Sequence, residues 1–296
     1  MKLSLAILSF SLVPALADAS PLLDPRAVPA GVSRPLAAAV RLDRARQPEA
    51  YRRVADLDGM RPESYRRTRA GRPSVALELR AMGPTALLPM LDALAPTGYP
   101  RALSPEEQSA LRQGLLEAVG NLGDARALPL LRGVFATATE APELRAAARG
   151  LSRVCQDSDR RTLQSATGPQ GEAAAAALGL CASPEANAWM VARLESARDP
   201  AYASALASGL AEATASWARS GPRWTVDSPL RARAARAVVR RWLDLPAQRN
   251  AIGVAALAMG GAEMLAAVRG ARRGSPADAS TGLATLERAL LRDLRR

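Results

Sequence analysis

From about residue 74 onward, apolar residues recur every three or four positions, in segments of 10 to 16 residues separated by Gly and Pro. Val75-Leu79-Met82, Leu111-Leu115-Ala118-Leu122 and Leu128-Leu131-Phe135 are examples. That spacing puts one apolar stripe on each segment when it is helical. No stretch alternates with period two for long enough to argue a strand. The pattern predicts an all-α chain of short helices, each needing a neighbour to cover its stripe.

The segments repeat. The late apolar residues of successive second helices, Val119, Leu151, Leu178, Leu210 and Val238, stand 32, 27, 32 and 28 residues apart. Runs rich in small residues precede them, as at Leu144-Arg145-Ala146-Ala147-Ala148, Ala173 to Ala177 and Ala232 to Ala237. A unit of about 30 residues made of two short helices cannot bury both faces alone, and stacking such units covers them. An α-solenoid of roughly seven helical hairpins is the expected architecture.

One stretch carries a family resemblance. Gly120-Asn121-Leu122-Gly123-Asp124-Ala125-Arg126-Ala127-Leu128-Pro129-Leu130-Leu131 resembles the HEAT-like repeat of phycobilin lyases. In that repeat a helix ends on L-G, turns through G-D, and the next helix opens on R-A-x-P-x-L. Leu144-Arg145-Ala146-Ala147-Ala148 resembles the start of its second helix, and Leu230-Arg231-Ala232-Arg233-Ala234-Ala235 is another copy. Gly83-Pro84-Thr85-Ala86-Leu87-Leu88-Pro89 is a weaker one. The match is closest over residues 117–152 and diffuse over 74–296. The resemblance implies a HEAT-type superhelix; it does not imply lyase activity, because such repeats serve many binding proteins.

The beginning of the chain has a different pattern. Met1-Lys2 precedes an apolar stretch over residues 3–16, and Ala15-Leu16-Ala17 fits a small-residue cleavage pattern, with Ala17-Asp18-Ala19 as a second. Residues 1–19 are read as a secretory signal peptide, which makes the expected location periplasmic or extracellular. No cysteine follows to take a lipid, and no later segment has the ~18 uncharged apolar residues of a membrane span. Residues 20–73 are Pro-rich and basic and are expected to form an arm or irregular cap, with helices near 35–46 and 48–57. The solenoid is expected over 74–296, with a break near 218–229.

Composition sharpens this picture in three respects. The 296 residues are 48% hydrophobic but only 3% aromatic, and that apolar content is dominated by the helix formers Ala and Leu. The formal charge is +12, carried almost entirely by arginine: Lys2 is the one lysine. The excess points to an anionic partner, although a skew toward Ala and Arg also fits a GC-rich genome. There is no histidine. Ser-His-Asp and Cys-His centres are therefore excluded. Beyond the leader, lysine dyads and Schiff bases go as well.

The phosphate-binding patterns G-x-x-x-x-G-K-[ST] and G-x-G-x-x-G are missing, and two cysteines without histidine do not make a zinc site. No cofactor, metal or catalytic residue is expected, and the chain reads as a non-enzyme. Glu106-Glu107 follows Ser104-Pro105 and reads as a helix start rather than a catalytic carboxylate pair. Asp56-Leu57-Asp58-Gly59 lacks the rest of a calcium loop and reads as a turn.

Two sets of residues remain as candidates. Arg145, Arg149 and Arg153 share one helix face, and Arg233, Arg236 and Arg240 share another. The HEAT resemblance places second helices on the concave surface, and so puts both rows there. The competing reading is an ordinary solvated face. Cys155 and Cys181 fall at corresponding places in adjacent repeats. They are either a disulfide or two small buried residues. Trp217 and Trp224 flank Arg219-Ser220-Gly221-Pro222-Arg223 and read as a plug between two halves, or else as a contact loop. The expected function is a protein-interaction scaffold. The alternative is a binder of an anionic polymer or lipid headgroups. Sequence-specific nucleic-acid recognition is not expected, because stacking aromatics are few.

Overall fold

The computed structural model describes residues 22–59, 75–95, 103–214 and 228–294, and among these every regular element is helical. Fifteen α-helices follow one another among them. They are α1 (Ala30–Arg46), α2 (Pro48–Ala55), α3 (Val75–Ala81), α4 (Leu87–Leu94), α5 (Pro105–Leu122), α6 (Leu128–Thr137), α7 (Ala141–Val154) and α8 (Asp157–Ser165). The remainder are α9 (Gly168–Ala177), α10 (Pro184–Ser196), α11 (Pro200–Thr214), α12 (Ser228–Asp244), α13 (Arg249–Met259), α14 (Gly261–Arg272) and α15 (Ala277–Asp293). None is long and apolar enough to cross a membrane. The leader at 1–19, residues 60–74 of the basic N-terminal region, and residues 218–227 of the expected break near 218–229, with Trp217 and Trp224, lie outside the described residues.

Local chemistry sets the helix ends. The Glu107 N–H donates to Ser104 Oγ at 3.3 Å while the Ser104 N–H donates to Glu107 Oε2 at 2.9 Å, so α5 starts on a reciprocal capping box with Pro105 in its first turn. It stops at Gly123, whose φ of 64° is the left-handed conformation glycine adopts at little cost. Asp124 then accepts the Arg126 N–H at 2.9 Å and opens a 3-10 turn, Ala125–Ala127, that leads into α6.

The same turn stands once more, a hundred residues earlier. Asp24-Pro25-Arg26-Ala27-Val28-Pro29 parallels Asp124-Ala125-Arg126-Ala127-Leu128-Pro129. The Arg26 N–H donates to Asp24 Oδ1 at 2.8 Å, and its guanidinium grips the same carboxylate at 2.6 Å, against 2.7 Å in the later copy. The described part of this segment packs on the rest of the chain. Leu22 and Leu23 are buried, Arg112 donates to the Leu22 carbonyl at 3.1 Å, and the Pro25–Ala27 turn lies on α6 at Gly133. Helices α1 and α2 pack on α4, with Val40, Tyr51 and Val54 buried. Arg44 pairs with the buried Asp92 of α4.

Contacts between helices follow a regular order. α3, α5, α7, α9, α11 and α13 touch in succession, and α13 reaches α15. α10, α12 and α14 form a second succession. Hairpin partners α4–α5, α6–α7, α8–α9, α10–α11, α12–α13 and α14–α15 join the two sets. One apolar core runs through the molecule from Leu22 to Leu290. Val238, read from its spacing as the fifth anchor of the second helices, lies on α12 and so belongs to the other succession from Val119, Leu151 and Leu210. The run Arg231-Ala232-Arg233-Ala234-Ala235 copies a second-helix start in sequence while occupying a first-helix place.

Candidate interaction surfaces

On α7 the three arginines meet different surroundings. Arg149 Nη1 lies 2.8 Å from Glu212 Oε1 on α11, so it reaches past α9, the helix between. Five consecutive alanines, Ala173 to Ala177, keep α9 slim enough for this. Arg153 Nη2 donates to Asn121 Oδ1 of α5 at 3.1 Å. Arg145 is exposed and has no ion-pair partner among the described residues. Two of the three therefore tie α7 to other helices, to α11 and to α5, and Arg145 is left exposed.

The α12 row sits at the end of α10. Arg233 grips the Glu195 carboxylate with Nε at 2.7 Å and Nη2 at 2.5 Å. Hydrogen bonding from Arg233, with the positive field of Arg233, Arg236 and Arg240, holds Glu195 below its ordinary pKa. Arg236 and Arg240 are exposed and form no ion pair among the described residues. Arg241, next in line, donates to the carbonyls of Leu194 (2.9 Å) and Glu195, where a cation complements the negative end of the α10 dipole. The two arginine rows lie on α7 and α12, which belong to different successions of helix contacts.

Cys155 and Cys181 are disulfide-bonded, with Cα atoms 5.1 Å apart. Ordinary helix spacing of ~8–10 Å argues against such a bond, but neither cysteine lies within a regular α-helix. Cys155 caps α7 in a left-handed conformation (φ 51°), and Cys181 ends the 3-10 turn Leu178–Cys181 after α9. Both chains therefore approach at irregular ends, where the spacing rule for helix axes does not apply.

Glu107, the Asp56–Gly59 stretch and the described tryptophans sit in local structure. Glu107 is spent in the capping box, and Asp56–Gly59 forms a 3-10 helix. Trp189 lies under the Arg193 guanidinium, 5.4 Å from ring to Cζ. Trp242 is buried against Gly282 and Gly253, with Arg249 over its ring at 4.8 Å. Among the described residues no three acidic or cysteine side chains gather to hold a metal.

Sequence reasoning passed over one surface. On α13, Ala251, Val254, Leu257 and Ala258 all face outward, with Val254 68% and Leu257 37% exposed. Its signal in the sequence is the uncharged run 251–262. Compared with known protein families, curated proteins and solved structures, the chain matches none.

Proposed function

We propose that this chain is an exported, non-catalytic α-solenoid of HEAT-like repeats that acts as a scaffold for a protein partner. The observation that carries the reading is the α13 face. Val254 and Leu257 stand exposed on a helix flanked by α11 and α15, in a row that continues back to α3. Large apolar side chains grouped on one outward face mark contact surfaces more often than isolated ones do. A stack of short helices supplies a rigid, extended area for such contact. The leader-like start and the disulfide favour an oxidising compartment outside the cytosol.

The test is capture from native envelope extract with the wild-type chain and with Val254→Glu/Leu257→Glu. A discrete protein held by the wild type through a high-salt wash, and lost by the variant, supports the scaffold. The reading fails if both chains retain the same material, or if nothing protein-like survives the wash.

A second reading rests on α12. Arg236 and Arg240, exposed beside the Arg233–Glu195 pair, offer guanidinium groups to a polyanion. Binding there falls steeply with salt. Titration of a polyphosphate with wild type and Arg236→Gln/Arg240→Gln at two salt concentrations separates it from the first.

A further inference from the structure

Helix α8 packs on α7 and α9 and stands off from α6. Its sequence accounts for this: DSDRRTLQS buries only Asp159 and Leu163. Two polar struts reach α6, one from the start of α8 and one from α9. At one end Arg132 of α6 donates to Asp159 Oδ1 at 2.6 Å and to Gln156 Oε1 at 2.7 Å. At the other, Gln170 of α9 donates to the Phe135 carbonyl at 2.9 Å.

Between the struts lies a cleft of about 620 Å³. Phe135 and Leu151, both buried in the core, contribute to its wall, with the methyl groups of Ala136 and Ala166 beside them. Its volume falls in the range of small-molecule sites, ~300–1,000 Å³.

The polar lining constrains the occupant. Thr162 donates its hydroxyl proton to the Ser158 carbonyl (3.0 Å), and Ser165 donates to the Thr162 carbonyl (3.0 Å). Gln170 spends its amide protons on the carbonyls of Phe135 and Ala136. Thr162, Ser165 and Gln170 thus present acceptor lone pairs along the α8–α9 side. The Arg132 guanidinium at the α6 end is paired with Asp159, and the Ser158 hydroxyl stands at the rim. On the α8–α9 side an anion would face acceptors rather than donors. A neutral molecule with an apolar body loses little, and an N–H or O–H on it finds a partner.

We propose that this cleft binds an uncharged, largely apolar small molecule that donates a hydrogen bond to the α8–α9 side. The site lies on α6 to α9, apart from both surfaces described above, and does not depend on either reading of the function.

The full chain is titrated with N-phenyl-1-naphthylamine, a neutral dye with one N–H, and separately with its anionic relative 8-anilinonaphthalene-1-sulfonate. The expected result is saturable one-to-one fluorescence enhancement by the neutral dye that the anionic dye does not displace. Filling the cleft by Ala166→Trp or, at the more exposed rim, Ala136→Trp weakens that binding by about tenfold, or 1.4 kcal/mol. Thr162→Val, which removes an acceptor and nothing from the core, weakens it several-fold. Val254→Glu leaves it unchanged. Absence of saturable binding overturns the proposal. So does equal affinity in variants that keep the wild-type melting temperature, or loss of binding on Val254→Glu, which would place the dye on α13.

Discussion

Gly179 and Gly209 press together where the end of α9 meets α11. A Cβ on Gly179 would stand 1.9 Å from the Gly209 carbonyl oxygen, and one on Gly209 would stand 2.1 Å from the Ala175 carbonyl oxygen. Gly120 and Gly150 repeat the relationship between α5 and α7, where a Cβ on either would fall within 3.0 Å of the other's Cα. These four glycines are spaced by 30, 29 and 30 residues. Backbone-to-backbone contact at this regular step lets α5, α7, α9 and α11 lie side by side, and it brings Arg149 within reach of Glu212 across α9.

Gly179→Ala and Gly209→Ala should each cost about 1–3 kcal/mol, because the added methyl meets backbone, which cannot rotate away. Gly270 of α14 has nothing within 4 Å of its would-be Cβ. Gly270→Ala should therefore raise stability by about 0.5–1 kcal/mol through helix propensity alone. Urea denaturation with unchanged slope measures all three. Neutral behaviour of the Gly179 and Gly209 variants would mean that the helices are not in backbone contact.

How much of this was legible depended on which residues carried the signal. The apolar stripes Val75-Leu79, Leu111-Leu115 and Leu128-Leu131 predicted helices, and helices stand there. The repeat was read from large apolar anchors at uneven intervals of 32, 27, 32 and 28, whereas the more regular marker is the glycine beside each of the first four. An anchor can slide by a turn and still bury its side chain. A backbone contact cannot slide, so glycine keeps the register and Leu or Val does not.

Val238 was misplaced for a related reason: α12 is apolar and small on one face like its neighbours, and a stripe does not say which succession a helix joins. The arginine faces were visible as rows. Their partners were not, because Glu212 and Glu195 lie 63 and 38 residues from the arginines they meet.

The N-terminal turn supports a prediction about how far the folded body extends. Leu23 is 4% exposed, next to an Asp24 turn that copies the Asp124 turn bond for bond. Leu23→Ala should cost about 2–5 kcal/mol, the usual range for a leucine lost from a core. A removable arm would instead leave the midpoint unchanged, and limited proteolysis would trim it without loss of the cooperative transition.

The disulfide closes a separation of 26 residues between Cys155 and Cys181. Chain entropy assigns about 3.5 kcal/mol to a loop of that size. Cys155→Ser/Cys181→Ser should lower the denaturation free energy toward that amount, and dithiothreitol should lower the wild type to the same level without affecting the variant. An insensitive wild type would show that the thiols contribute only their packing.

Arg149 and Arg145 are one helical turn apart and should respond differently. Arg149 and Glu212 are about one-quarter exposed at the side chain (28% and 25%), so a double-mutant cycle on the pair should give a coupling of about 0.5–1 kcal/mol. Arg145→Ala should leave stability within about 0.5 kcal/mol, as surface changes do. If Arg145 is the more costly of the two, it has a structural partner and is not a free contact residue.

Acid should loosen the junction of α10 and α12 through Glu195. Its pKa is held below the ordinary glutamate value, first by the hydrogen bond from Arg233 and then by the surrounding arginine charge. A depressed carboxylate stabilises the fold above the unfolded-state pKa of about 4.3, and that contribution disappears as pH falls through the lower folded-state value. The wild-type advantage over Glu195→Gln should thus be full at pH 7, shrink below about pH 4.3 and vanish in stronger acid. Salt should shrink it too, since the Arg233 and Glu195 side chains are 48% and 35% exposed and open to screening. Denaturant midpoints of both chains at pH 7 and in the acid range, at low and high ionic strength, measure the effect. A constant difference across pH would assign the stabilisation to packing of the Glu195 stem and remove charge from the account.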